Sequence, residues 1–167
     1  MAVSSSAEFE EIECLKEGRF GKETLVKRKV DDSKFVVKKV NLNKILEPKF
    51  CKMADEEAKL LVSLHHPNII RVHNHFCESN LGSSLFYHLV VEHCDGGTLE
   101  DEIEHLKSTG GFFSENHILW WSTQLTSALK FIHSKKLVHQ NIRPNVSKRF
   151  LFATFFRFFW PFRIYTW

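Results

Sequence analysis

Two glycines three residues apart, Gly18 and Gly21, stand between apolar stretches in KEGRFGKETLV, residues 16–26. On a hairpin, such a pair lets backbone N–H groups approach phosphate oxygens with no Cβ in the way. A plain hairpin turn uses the same residues, so the pattern alone leaves both readings open. Lys38, in FVVKKV, and Glu57, in ADEEAKLL, follow with opposite charges. A lysine that grips α- and β-phosphates has to be held by a partner charge, and a glutamate on a helix can supply it. Either residue alone reads first as an ordinary solvated charge; after a glycine hairpin, the two together suggest phosphate handling. A second constellation is His73, His75 and Cys77 in RVHNHFC. In a regular strand all three share one face at metal-ligand spacing. No fourth ligand lies nearby in sequence, and the segment also reads as an ordinary strand, so we expect no metal site.

The elements that must position these residues are legible from periodicity. Residues 9–40 hold three apolar runs, FEEIECL, TLVKRKV and KFVVKKV, separated by the glycine pair and by Asp31-Asp32-Ser33. They read as an antiparallel meander. The period then changes: Ala54, Ala58, Leu61 and Leu64 lie three and four apart, with Asp55, Glu56 and Glu57 among them, predicting a helix over 52–64. His66-Pro67-Asn68 ends it, with His66 in a structural bond at the corner. Two more strands are expected near Ile69–Phe76 and Leu85–Glu92, with ESNLGSS between them. Gly96-Gly97 precedes a short helical run, TLEDEIEHL. Ser114 and Glu115 open a longer helix to His133, whose buried stripe is predicted to be Ile118, Trp121, Leu125, Ala128, Leu129 and Ile132. The Trp120-Trp121 pair reads as core.

Composition sets the class. The chain has 167 residues, 43% hydrophobic and 26% charged, with a net charge of +3. That charge is too small to argue for nucleic acid, and no Lys/Arg block forms an arm. Cys14, Cys51, Cys77 and Cys94 form no C-x-x-C pair and read as reduced thiols of an intracellular protein. The N-terminus lacks an apolar signal region, and Ala2 excludes N-myristoylation. We therefore expect a cytoplasmic protein. The last 21 residues, from Ser147, differ: ten are aromatic, none is acidic, and neither helix nor strand periodicity shows. Phe150–Trp160 is too short to span a bilayer and contains Arg157. One reading is a surface-seeking aromatic and basic segment; we favour sequence never shaped to fold with the rest, as a truncated or alternatively spliced product of a longer gene would carry.

Taken together, GRFGK, FVVKKVNL, HHPNIIR, VVEHCDGGTLEDEI and LVHQNIRP give residues 9–146 a resemblance to the first half of a protein kinase domain. The chain most resembles the NIMA-related serine/threonine kinases. That resemblance implies an α+β fold: a five-stranded antiparallel sheet with one helix in residues 9–92, then a hinge and partial helical lobe in 93–146. Residues 1–8 are expected to be disordered. It implies that Gly18 and Gly21 belong to the phosphate loop with Phe20 at its tip, and that Lys38 binds phosphate with Glu57 as partner. Val91 would be the gatekeeper, and Glu92–Cys94 the hinge whose backbone bonds adenine. His139, Gln140 and Asn141 would stand for His-Arg-Asp, and Arg143 for the lysine two residues on. ATP with Mg²⁺ is the implied cofactor, and a protein substrate or protein partner is implied too.

The departures from that pattern bear directly on activity. Lys16 takes the place of the first phosphate-loop glycine, and Glu23 that of the small residue beneath adenine. A carboxylate near a triphosphate is repulsive. Asn141 replaces the aspartate that accepts the substrate proton, and an amide is no base at neutral pH. Losing that acceptor costs roughly 10²–10⁴ in rate, or about 3–5 kcal/mol of barrier. Val146 stands where a metal-binding asparagine belongs, with Asn145 one residue early, and no Asp-Phe-Gly follows. The expectation is ATP held weakly or not at all, magnesium without its usual ligands, and no phosphoryl transfer. The alternative is a non-catalytic pseudokinase-type module acting through protein contacts.

Overall fold

The computed structural model describes residues 5–18, 21–44, 50–79 and 85–139, together with Ile142 and Pro144. Five strands appear in the expected places: β1 (Phe9–Gly18), β2 (Gly21–Arg28), β3 (Lys34–Asn41), β4 (Val72–Ser79) and β5 (Leu85–Glu92). They form one antiparallel sheet in the order β1-β2-β3-β5-β4. Helix α1 (Phe50–Ser63) lies between β3 and β4 in sequence, and α2 (Leu99–Thr109) and α3 (Glu115–Ser134) follow β5. The α+β architecture implied by the resemblance is therefore present, with its elements near the positions that periodicity marks. The chain divides into two compact units, residues 1–64 with 71–93, and residues 65–70 with 94–167.

In the first unit, the β2–β3 connection shows how local chemistry sets register. The Arg28 N–H donates to the Ser33 carbonyl at 2.8 Å, Asp32 takes the left-handed conformation (φ 58°), and Asp31 pairs with the Arg28 guanidinium. Aspartate tolerates that conformation because its short polar side chain can bond locally. This turn places Glu23 opposite Lys38, Thr24 opposite Val37 and Lys22 opposite Lys39. Strand alternation then divides the sheet into two faces. One carries Val40, Tyr87, Leu89 and Val91, each 1% exposed. Tyr87 Oη donates to the carbonyl of Ala54 on α1 at 3.0 Å, which identifies this as the helix-covered face. Ala54, Ala58 and Leu61 are the buried stripe of α1. The other face carries Val26, Phe35, Val37, Phe76 and Val90, with Phe9 packed against them. The sheet is thus lined with buried apolar side chains on both sides.

Strand β4 begins at Val72, three residues later than expected, because the Ile69 N–H donates to the His66 carbonyl (3.1 Å) and residues 66–69 form a turn. The β4–β5 register slips between Val72 and Asn74. A bulge of this kind breaks the two-residue alternation. His73 meets Phe35 edge-on at 4.9 Å, whereas His75 stacks with Tyr87 and lies 3.4 Å from Asp55 of α1. The two histidines therefore serve opposite faces, and the one-face ligand set that strict alternation allows does not form.

In the second unit, α2 starts with a reciprocal cap: Thr98 Oγ1 accepts from the Asp101 N–H (3.1 Å) and Asp101 Oδ2 from the Thr98 N–H (2.7 Å). Gly110 ends it in the left-handed conformation that glycine adopts without cost (φ 68°). Ser114 caps α3 through the His117 N–H. The predicted buried stripe of α3 is realised only near its C-terminal end, where Ala128 and Ile132 are buried. Ile118 is 50% exposed, and Trp120, expected in the core, is 53% exposed. Trp121 is partly covered, edge-on to Phe113 at 4.7 Å. His66 makes the corner bond expected of it: Nδ1 accepts from the Asn68 N–H (3.1 Å), and Nε2 lies 3.2 Å from Ser127 Oγ of α3. Because Nδ1 accepts, the neutral ring carries its proton on Nε2 and donates it to Ser127. Among the described residues, no helix is long and apolar enough to cross a membrane; the aromatic tail lies outside them.

Candidate nucleotide site

The glycine hairpin joins β1 to β2, with Gly18 and Gly21 as cross-strand partners. Phe20, the expected tip, lies outside the described residues. The two glycines differ physically. A Cβ on Gly18 would meet nothing closer than 3.8 Å, but one on Gly21 would sit 1.9 Å from the Lys39 carbonyl oxygen. Gly21 is thus demanded by the close approach of β2 to β3. The structure gives it a packing reason independent of any phosphate.

Lys38 projects from the middle of β3 on the helix-covered face, its side chain 11% exposed. Its Nζ lies 2.8 Å from Glu23 Oε1, on the neighbouring strand. The carboxylate found beside it is thus Glu23, where the resemblance implies Glu57. Directly opposed residues of an antiparallel pair have Cβ atoms about 5 Å apart, so Glu23 is the carboxylate that the register delivers to Lys38. Lys16 is the Cα partner of Glu23 on its other side, on β1. Glu23 is thus set between two basic positions where the family pattern has a small residue.

Glu57 lies where predicted on α1, beside the buried Ala54 and Ala58. Among the described residues no ion pair reaches it, and burial pushes its carboxyl up to about 7. A partner cation would pull in the opposite direction. The sequence reading therefore located both charges of the expected pair and did not anticipate the ion pair of Lys38 with Glu23. The missing signal was available in the hairpin: a tight turn at residues 29–32 sets Glu23 opposite Lys38.

Val91 is 1% exposed at the inner end of β5, flanked across the strands by Val36 and Val72. Glu92 ends β5 and is locked to the chain before β4. Its N–H donates to the Arg71 carbonyl (3.0 Å), and its Oε1 accepts from the Arg71 N–H (2.8 Å). The Glu92 N–H is therefore occupied by protein. Cys94, partly buried, belongs to the second unit. In that unit His139 is 3% exposed, and burial pushes its imidazole down to about 4, so it is neutral at pH 7. The carbonyl of Pro144 accepts from the Glu100 N–H at 2.9 Å, at the start of α2. Asn141 and Arg143 lie outside the described residues. Among the described residues, no group of three or more His, Cys, Asp or Glu side chains could hold a metal ion.

A sheet of this order with one helix between its third and fourth strands, a lysine in the third strand and a His-x-Asn-x-x-Pro segment after α3 defines a class. The protein kinase domain family matches residues 9–146, and the chain belongs to that family. Within it the chain is NIMA-related-kinase-like. It is 37% identical over 135 residues to serine/threonine-protein kinase Nek5 of Mus musculus, covering 81% of this chain and 20% of that protein. It is 39% identical over 132 residues to serine/threonine-protein kinase Nek9 of Xenopus laevis, covering 79% and 13% respectively. The chain thus spans a fifth or less of these relatives' length.

Proposed function

We propose that this chain is a NIMA-related serine/threonine kinase-like protein whose ATP site is degraded and which transfers no phosphate with the residues it carries. Family membership implies ATP and Mg²⁺ use in general. What supports the degraded reading is the Lys38–Glu23 pair at 2.8 Å in a largely buried position. A triphosphate that recruits Lys38 has to displace Glu23 and then leaves that carboxylate beside its own negative charge, a Coulombic penalty in a setting where screening is weak. The residues present therefore fit ATP poorly. Asn141, at the position of the base, supports the same reading from sequence, since an amide accepts no proton at neutral pH.

Thermal unfolding of the 167-residue chain with ATP, with and without Mg²⁺, tests this. The wild type is expected to shift little. Glu23→Val is expected to restore an ATP-dependent rise in Tm, and adding Lys38→Ala is expected to abolish that rise. A large shift in the wild type would sink the degraded-site reading. Casein phosphorylation that disappears in Asn141→Ala would sink the inactive one.

A second reading, a non-catalytic module that works through protein contacts, is favoured by one observation. Helix α3 presents Ile118, Leu119 and Trp120 at 50%, 56% and 53% exposure, next to Phe112 at 93%. Several large apolar side chains exposed in one short stretch suit a contact surface.

A further inference from the structure

The face of the sheet turned away from α1 contains a cavity of about 120 Å³. It is lined by Thr24 and Lys22 of β2, Lys39 of β3, Phe76 of β4 and His88 of β5, with Phe9 and Glu11 of β1 and Ser6 completing it. By strand alternation none of these side chains shares a face with Lys38, so the cavity is separate from the candidate nucleotide site. Its walls are of two kinds. Phe9, Val26, Val37 and Phe76 make an apolar side that continues the outer apolar layer of the sheet. Among them sit two buried polar side chains, each 3% exposed: Thr24, the cross-strand partner of Val37, and His88, whose ring stacks on Phe76 with centroids 4.7 Å apart. Among the described residues no hydrogen-bond partner meets Thr24 Oγ1, His88 Nδ1 or His88 Nε2. The carboxylate of Glu78 comes no closer to the ring than 3.7 Å, from Oε2 to Nε2, beyond hydrogen-bond reach. Burying polar groups without partners is costly, and native proteins rarely do so without a reason.

The charges at the cavity wall are unbalanced. Lys22 is neutralised by Glu11, with Nζ at 2.8 and 3.1 Å from its two carboxylate oxygens. Lys39 holds its ammonium over the Phe86 ring, 4.2 Å from the centroid, and no carboxylate pairs with it among the described residues. The lining therefore offers one surplus positive charge, a hydroxyl, a neutral imidazole and an apolar wall. Its volume is close to that of the roughly 150 Å³ engineered cavity that accepts one benzene ring.

We propose that this outer-face cavity binds a small organic monocarboxylate with a single ring or a short apolar arm. The carboxylate accepts from Thr24 and His88 in the field of Lys39, and the apolar arm lies against Phe9, Phe76 and the valines. The proposal is independent of the nucleotide reading, because it uses the opposite face of the sheet.

Benzoate is the probe, titrated into the isotope-labelled 167-residue chain and followed by NMR shifts of the Thr24 methyl and the His88 ring. Saturable shifts at these two groups are expected with benzoate. Toluene, which has the ring without the charge, and acetate, which has the charge without the ring, are expected to bind at least roughly tenfold more weakly, since a hydrogen bond to a charged group is lost in one and the apolar contact in the other. Thr24→Val, which removes one donor at constant shape, is expected to weaken benzoate roughly tenfold. If that variant fails to fold, Lys39→Gln, at a partly exposed position, carries the same expectation. Four results would overturn the proposal: no saturation, equal binding by toluene or acetate, unchanged affinity in the variants, or shifts gathered instead at Val36, Val40 and Leu89. Long-lived water contacts at Thr24 and His88 that benzoate does not displace would equally overturn it.

Discussion

At the scale of single residues, two glycines that look alike in sequence carry different obligations. A methyl group on Gly21 has to push the Lys39 carbonyl out of the β2–β3 ladder, because its Cβ would lie 1.9 Å from that oxygen. We expect Gly21→Ala to destabilise the first unit by at least about 1–3 kcal/mol, the range for overpacking, and Gly18→Ala to be near neutral. Chemical denaturation of the two variants checks this, and equal midpoints would refute the distinction. Glu57 gives a second residue-level prediction. Its carboxyl titrates near 7 in the folded chain, against an ordinary value of 4.5. Between those values the folded chain keeps a proton that the unfolded chain has released, so this group makes stability fall as pH rises from 4.5 to 7. The full difference is about 3 kcal/mol. Glu57→Gln removes that slope, so the stability difference between variant and wild type should grow with pH across the window; a flat difference would show that Glu57 ionises freely. Lys38 and Glu57 stood out by residue type and order along the chain, and Glu23 only as a departure from the family pattern. Which carboxylate reaches the lysine was not read, because that depends on strand register, and register is set by a turn rather than by the residues it pairs.

At the scale of elements, period and capping signals sufficed for the strands and helices, since amphipathic alternation and Ser/Thr caps are local properties. Where local rules met a tertiary irregularity they failed, as at the β4 bulge that sends His73 and His75 to opposite faces. The His66-Pro67-Asn68 corner shows the reverse case, a short loop whose bonds decide which unit it joins. His66 reaches Ser127, and Asn68 Nδ2 donates to Gln124 Oε1 at 2.8 Å, so residues 65–70 belong with α3 rather than with the sheet they precede. His66→Ala removes both ring bonds and the contact with Phe131, whose ring centroid is 5.1 Å away. The expected cost to the second unit is about 1–3 kcal/mol. Hydrogen exchange of the α3 amides checks it: protection around Ser127 should drop in His66→Ala, and unchanged protection there would refute the role of the ring.

At the scale of the whole molecule, the two units differ in how completely each covers its own apolar surface. The sheet is lined with buried apolar side chains on both faces and has a helix over one. Helix α3 buries two residues near its C-terminal end and leaves Ile118, Leu119 and Trp120 half exposed. Sequence periodicity marked the apolar stripe of α3 but gave no means of telling buried from bare, because burial depends on what else the chain folds against it. A fully exposed side chain of this kind gains about 1.5–3 kcal/mol on complete burial, so covering the exposed halves of these three gains roughly 2–5 kcal/mol, which biases the chain toward association without fixing it. Leu119→Glu combined with Trp120→Glu should therefore lower the tendency of the chain to associate, seen as a shift toward monomer in sedimentation velocity. Both positions lie on the exposed side of the helix, so the double variant should unfold within about 1 kcal/mol of wild type. Association that persists unchanged in the double variant would remove α3 as the contact surface. Loss of stability well beyond that margin would mean that this face is covered within the chain itself, and the reading of the molecule as a contact module would lose its support.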